Sequence, residues 1–361
     1  MNPNLEHPHL ESIFVAGNQN KIDLNPKGKF LYTILFNNLH KKGFKLSHNH
    51  NSKFAIFVDF NPYHYKKYIK SGGKPENMVL LRFEPVSVLP SQYNSEIMKM
   101  FGLVLDFGKI DAIDNLRSFH HPYMHNANPL QPEISDDQNY LSIRQELNVE
   151  KWAKRANKIV LIASNKLPIN IQSGYYLRRK WLANFNFQSQ LTVFGTNWQF
   201  SLSFIADSLR SLIFHIRRRH KIDLKILLKH NFLKLDNYAG FCEDKNEILR
   251  DSKFNLIIEN SFDTMTEKFF DSIIAGSIPI YIGPPLNQIK FLGDSYIQFN
   301  PKTSPLEILH RVDNLSPKEI QEILDNINQI FRNNVFQTFF SASAVMSDVT
   351  ASIVQYYQLR K

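Results

Sequence analysis

Six short apolar runs recur along the chain: KFAIFVDF (53–60), NMVLLRFEPVSVLP (77–90), GLVLDFG (102–108), KIVLIASNK (158–166), FNLIIE (254–259) and IPIYIG (278–283). Each is shorter than a typical helix and lacks the in–out alternation of a half-exposed strand, so each reads as a strand buried on both faces. Helical patterns separate them: KGKFLYTILFNNLHKKGFKL, SEIMKMF, Tyr175–Phe185 and the segment after Thr266. Strand–helix–strand repetition of this kind predicts α/β architecture with parallel sheets, whose ligands sit at the C-terminal ends of the strands. At 361 residues the chain exceeds one ordinary domain. We expect residues 1–155 to form one Rossmann-like domain. Residues 156–361 are expected to form a second, carrying the ligand-binding strands and the C-terminal helices.

The 43 Lys and Arg against 33 Asp and Glu leave a net charge of +10, which favours an anionic partner. A nucleic acid, a phosphorylated small molecule and an acidic membrane surface all satisfy that. The lone Cys242 cannot form an intrachain disulfide and suits a reducing compartment. The N-terminal residues lack the basic and apolar regions of a secretory signal, and no apolar run reaches the ~20 residues of a spanning helix. The expectation is a cytoplasmic protein, peripheral to a membrane at most. Residues 210–234, RSLIFHIRRRHKIDLKILLKHNFLK, interleave basic and apolar side chains. They read either as a helix covering its own domain or as a contact with an anionic membrane. No stacking platform accompanies them, so specific nucleic-acid binding is not expected.

The densest chemistry lies in LIIENSFDTMTEKFFDSIIAGSIPIYIGPP, Leu256 to Pro285. Phe269, Phe270, Ile273 and Ile274 have helical spacing, so a helix starts near Thr266 with Glu267 and Lys268 in its first turn. A helix N-terminus presents free N–H groups and a positive dipole end, a seat for phosphate. Lysine there runs against the dipole unless an anion shares the site. Glu267 could accept hydrogen bonds from a ribose diol. Together these read as a nucleotide-diphosphate site. An incidental Glu–Lys pair on a capped helix is the plainer alternative.

The full arrangement is more specific than its tripeptide. FNLIIENS, a short gap, TEK, an aromatic helix and AGSIPIYIGPP resemble the α-1,3-fucosyltransferases of glycosyltransferase family 10. That family's pattern is similar to F-x-x-x-x-E-N-S, then D-Y-V-T-E-K, then G-x-x-P-[IV]-x-x-G-x-P. The resemblance is strongest over residues 238–285, and YAGFCEDKNEILRDSK places Lys245 where the family has its usual lysine. It implies a GT-B fold, two Rossmann-like domains facing across a cleft, with GDP-fucose held mainly by the C-terminal one. It also implies inverting transfer of fucose to a hydroxyl of an oligosaccharide or glycolipid acceptor. Carried onto this chain, Asn260 would line the donor site, Glu267 would bind the ribose and Lys268 the pyrophosphate. YYLRRKWLANF is similar to the family's arginine-bearing helix, making Arg178 and Arg179 phosphate-side candidates or, equally, solvated helix arginines. Asn197, in VFGTNW, stands where some bacterial members carry a phosphate-binding arginine, and is counted with the donor side.

In the first domain, Glu84 of LLRFEP falls at a strand end, in a stretch similar to the family's M-E-S-P, whose glutamate is the presumed general base. Its plainer role would be to cap a turn. No Asp-x-Asp occurs in the chain, so no metal is expected to bridge a pyrophosphate, and a divalent cation would be at most an activator. His120, His121 and His125 read as loop residues, since Pro122 breaks the helix that would align them. The Asn260–Glu267 spacing is shorter than the family's, Thr264 replaces its tyrosine, and Asn197 replaces the arginine. These departures leave open a transferase for another nucleotide sugar, or a non-catalytic nucleotide- or glycan-binding protein.

Overall fold

The structure is a computed structural model that describes residues 11–16, 26–107, 114–123, 144, 146–169, 173–184, 190–199, 201–218, 220–223, 225 and 235–361. The chain forms two units. Met1–Asn139 and Gln337–Lys361 make the first, Tyr140–Phe336 the second.

The first unit begins β1 (Glu11–Ala16), α1 (Pro26–Lys41), β2 (Phe44–Ser47), β3 (Phe54–Val58) and α2 (Pro62–Lys70). It continues β4 (Met78–Arg82), α3 (Ser95–Met98), β5 (Leu103–Asp106) and β6 (Leu116–Ser118). The strands form a six-stranded sheet in the order β2-β1-β3-β4-β5-β6, parallel throughout. Neighbouring residues of the central strands point to opposite faces, and both faces are covered. Ile13, Ile56, Leu81 and Leu105 belong to one apolar cluster, whereas Phe14, Phe57, Leu80 and Val104 belong to the other. That is why the runs read as apolar without alternation.

The second unit contains α4 (Val149–Ala153), β7 (Asn157–Ile162), α5 (Gly174–Asn184), β8 (Leu191–Phe194), α6 (Leu202–Arg217) and β9 (Tyr238–Gly240). There follow α7 (Lys245–Arg250), β10 (Ser252–Ile258), α8 (Lys268–Ala275), β11 (Ile278–Ile282), β12 (Ile297–Gln298), α9 (Pro305–Asp313) and α10 (Pro317–Arg332). Its sheet has the order β12-β11-β10-β7-β8-β9, again parallel. This is the 3-2-1-4-5-6 order of a Rossmann unit, whose direction of winding reverses between β7 and β10. Helices α9 and α10 each start with a Ser-Pro capping box, Ser304 with Glu307 and Ser316 with Glu319.

After α11 (Val335–Phe339) the chain ends in α12 (Ala342–Gln358), which corrects the expected division. The break lies between Asn139 and Tyr140 rather than at 155/156, and the last helix belongs to the first unit. Val345, Met346, Val349, Ile353 and Tyr356 share one helical face and pack with Leu35 and Leu39 of α1 over Ile13, Ile56 and Leu81. Without α12 that sheet face would lose much of its apolar cover. Two Rossmann-like units are the parts expected of a GT-B chain. One local expectation changes as well: β2 begins within the end of KGKFLYTILFNNLHKKGFKL, the segment expected to be helix.

Candidate functional site

The reversal point of the second sheet carries a cavity of about 290 Å³. Its walls come from the strand ends: Ile162, Ala163 and Ser164 at the end of β7, Gly195 and Thr196 after β8, Asn260 after β10. Lys166, Tyr175, Arg178, Phe241, Cys242, Lys245, Glu267 and Lys268 complete the lining. Four cationic side chains thus face a space with one carboxylate. Five residues expected from the sequence, Asn260, Glu267, Lys268, Lys245 and Arg178, come together here. Lys166, Tyr175, Phe241 and Cys242 were not expected, although Lys166 closes the strand-end run KIVLIASNK and the same strand-end rule points to it.

Glu259 organises the wall that bears Lys268. It follows the last residue of β10 and is fully buried. Its Oε1 accepts from the Thr266 amide at 2.8 Å and its Oε2 from Thr266 Oγ1 at 2.7 Å. Lys268 Nζ lies 2.8 Å from Thr266 Oγ1 and 3.4 Å from Glu259 Oε2. Glu259, seven residues before Thr266, is therefore an ion-pair partner of Lys268. Glu267 occupies the N-cap position of α8, and its side chain makes no capping bond to the helix. Thr264 and Met265 are buried, so the shortened loop folds inward between these anchors. Helix α8 ends at Gly276, whose φ of 72° closes the left-handed cap, and β11 returns at once.

Arg178 and Arg179 are buried, not solvated, at 2% and 0% exposure. Helix α5 can pack this closely because its first residue is Gly174: a Cβ there would stand 1.6 Å from the Glu259 carbonyl oxygen. Arg178 donates to the Ile258 carbonyl, and its Nη2 lies 3.0 Å from Asn260 Oδ1, fixing that amide at the cavity wall. Burial pushes the pKa of its guanidinium down, opposed by Tyr175, Glu259 and Glu267. Arg179 is not part of the lining. Its Nε donates to Asn165 Oδ1 at 2.6 Å, and Asn165 in turn donates to the Asn197 carbonyl at 2.8 Å. Burial lowers the pKa of Arg179 to about 10. Asn197 likewise lies outside the lining: at φ 66° it turns its amide toward Asp207. These two residues brace the β7 and β8 ends behind the wall.

Lys245, the first residue of α7, reaches Asp271 Oδ2 at 2.7 Å. Burial works against its charge, but Asp271 and Glu267 more than compensate and hold the ammonium above the usual lysine range. Lys245 therefore keeps its charge at neutral pH.

In the first unit, Glu84 lies two residues beyond β4, as expected, and is half-buried. Its loop is pinned by Asp59, which no motif marks although it closes the run KFAIFVD. Asp59 sits at φ 58°, and its Oδ1 accepts from the amides of Phe83 and Glu84 at 2.9 and 3.0 Å. The fully buried Gln92 donates to Asp59 Oδ1 and, at 2.7 Å, to the Glu84 carbonyl, which also accepts from Tyr93. Beneath them Arg82 and Asp106 form a buried ion pair at 2.7 Å. Burial and then the Glu84 charge raise the pKa of Asp59 to about 6. The result is a rigid, carboxylate-rich strand end.

No protein-family profile matches the chain. Its sequence matches carry one activity in their names. A fucosyltransferase-like protein of Arabidopsis thaliana is 40% identical over 84 residues, 20% of this chain and 16% of that protein. The human 4-galactosyl-N-acetylglucosaminide 3-alpha-L-fucosyltransferase 9 is 26% identical over 125 residues, covering 34% of this chain and 31% of the relative. The matched stretches thus span less than a third of the length of these curated relatives. Among solved structures, an alpha1,3-fucosyltransferase with GDP aligns over 98% of this chain and 91% of its own at 15% identity and a TM-score of 0.48. A Burkholderia vietnamiensis alpha,alpha-trehalose-phosphate synthase aligns over 95% and 85% at 10% identity and 0.49. The family that the motifs resemble and the names of the sequence relatives coincide.

The described histidines of the 120–125 cluster are packing residues. His121 is buried and His120 packs its ring 5.1 Å from that of Phe340, while His125 lies outside the described residues. Among the described residues no three His, Cys, Asp or Glu side chains are grouped to hold a metal. The second half of the basic stretch, residues 226–234, also lies outside the described residues.

Proposed function

We propose that this chain is an inverting glycosyltransferase that moves fucose from GDP-fucose to a hydroxyl of an acceptor glycan, forming an α-1,3 linkage. The observation that carries this reading is the cation-lined cavity at the sheet reversal point, with Lys268 and Glu267 at the start of α8 beside it. The fucosyltransferase names of the sequence relatives support the choice of donor. In this reading Lys268, with Lys245, Arg178 and the α8 N-terminus, neutralises the pyrophosphate. Glu267 accepts hydrogen bonds from the ribose, and Asn260, held by Arg178, faces the donor. Arg179 and Asn197 support the wall rather than touch the donor.

Glu84 acts as the general base. It takes the proton of the acceptor hydroxyl while that oxygen bonds to the anomeric carbon, and the carbon–phosphate-oxygen bond breaks with its electron pair leaving on GDP. Charge on the leaving group is met by the chain's own cations, so a divalent cation is at most an activator. The acceptor would be an oligosaccharide or glycolipid, including lipid-linked precursors of surface glycans, and the reaction would run in the cytoplasm.

The inward-folded loop with Thr264 and Met265 favours one alternative, a transferase of the same kind that uses another nucleotide sugar. Incubation with GDP-fucose, other nucleotide sugars and a panel of oligosaccharides separates these readings. Acceptor-stimulated GDP release with an α-1,3-fucosylated product is expected. GDP should also slow alkylation of Cys242, which lines the cavity. Turnover and Cys242 protection by UDP-sugars alone would replace the donor, and no protection by any nucleotide would remove the site.

A further inference from the structure

Helix α6 is turned inside out. Leu202, Ile205, Leu209, Ile213 and Ile216 follow i, i+3, i+7, i+11 and i+14 and form one stripe along the helix. All five are exposed, at 84%, 38%, 53%, 48% and 58%. The opposite face packs inward through Phe204 and His215, with Ser208 and Ser211 half-buried beside them. An ordinary surface helix buries its apolar stripe and shows its polar face. Here the 16-residue helix presents about 24 Å of unbroken aliphatic surface to the outside.

We propose that α6 lies in the interface of an anionic lipid bilayer. Charge complementarity chooses this occupant. From 202 to 225 the chain has six Lys and Arg against two Asp. Arg210 and Arg217 flank one edge of the stripe, and Arg218, Lys221 and Lys225 follow its C-terminal end. Long basic side chains beside aliphatic ones can place their stems in the acyl boundary and their charges among the head groups. A second copy of the chain would instead bring two equally positive flanks together. Such a helix sits about 5–10 Å into the head-group region, parallel to the membrane. No described helix is long and apolar enough to cross it. The placement differs from the sequence expectation, which centred the contact on residues 210–234.

Flotation of the full chain with phosphatidylcholine vesicles, with and without phosphatidylglycerol, tests it. Binding is expected only to the anionic vesicles. The double variant Leu209→Asp/Ile213→Asp should abolish it while leaving circular dichroism and GDP protection of Cys242 unchanged. Because aspartate could disturb the helix, Arg210→Gln and Arg217→Gln provide a second arm, each expected to weaken binding about fivefold. Vesicle binding that ignores both sets of changes would overturn the proposal. So would equal binding to neutral vesicles, or a concentration-dependent dimer that Leu209→Asp abolishes in a chain that binds no vesicles.

Discussion

The two units solve one architectural problem with opposite charge. Each is a six-stranded parallel sheet with its chemistry just past the strand ends. In the first, Asp59 and Glu84 concentrate carboxylates, and burial and then Glu84 raise the pKa of Asp59 to about 6. In the second, Lys166, Arg178, Lys245 and Lys268 surround a cavity beside Glu267. A parallel sheet therefore supplies a place for chemistry without specifying its sign. The sign comes from the few side chains that each strand end presents. A carboxylate-rich end suits proton removal, and a cation-rich end suits a departing diphosphate.

The largest expected effect breaks the first half of this comparison. Glu84→Gln keeps the size and hydrogen-bonding backbone of the loop but cannot take a proton. Transfer kcat should fall by roughly 10²–10⁴ with the donor KM little changed. A variant that transfers at the wild-type rate would remove Glu84 from the chemistry.

Next in size, Lys268→Ala tests the second half. Loss of one charge-assisted hydrogen bond, worth roughly 1.5–3 kcal/mol, should weaken GDP binding about 10- to 150-fold by calorimetry. The same change leaves Glu259 buried beside Thr266 without its cation, so urea unfolding should be measured alongside. Unchanged GDP affinity would mean that the cavity cations do not meet the diphosphate.

The smallest effect sharpens the comparison through pH. Asp59 has a pKa of about 6 in the folded chain against 3.8 ordinarily, so the native state binds more protons between these values. Its contribution to stability is full below pH 3.8, falls as pH rises and is lost above about 6. Asp59→Asn, which keeps an acceptor for the Phe83 and Glu84 amides, should remove this loss, on the order of 2 kcal/mol between pH 4 and pH 7. Urea midpoints at pH 4 and pH 7 check it: the wild-type difference should shrink in the variant, and an unchanged difference would mean that Asp59 is not the titrating group.

Much of this is legible in the amino-acid sequence. Uniform apolar runs of strand length mark the central strands of both sheets, because residues buried on both faces leave no alternation. The TEK motif marks the start of α8, and Glu84 is found by its place at a strand end. The pairing of Lys268 with Glu259 is not legible, since Glu267 is adjacent in sequence while Glu259 becomes adjacent only when the loop folds inward. Arg178 and Arg179 look equally suited to solvent. Only the approach of α5 over the Glu259 carbonyl, permitted by Gly174, buries them and divides their roles.

The order of residues thus fixes the elements, their periodicity and the side chains that end the strands, because those depend on local geometry and on which faces are apolar. Packing between distant segments settles the rest. It returns α12 to the first sheet, joins Glu259 to Lys268, and leaves the stripe of α6 facing outward. Each of these depends on which remote surfaces meet, and a local pattern records that a face is apolar without recording what will cover it.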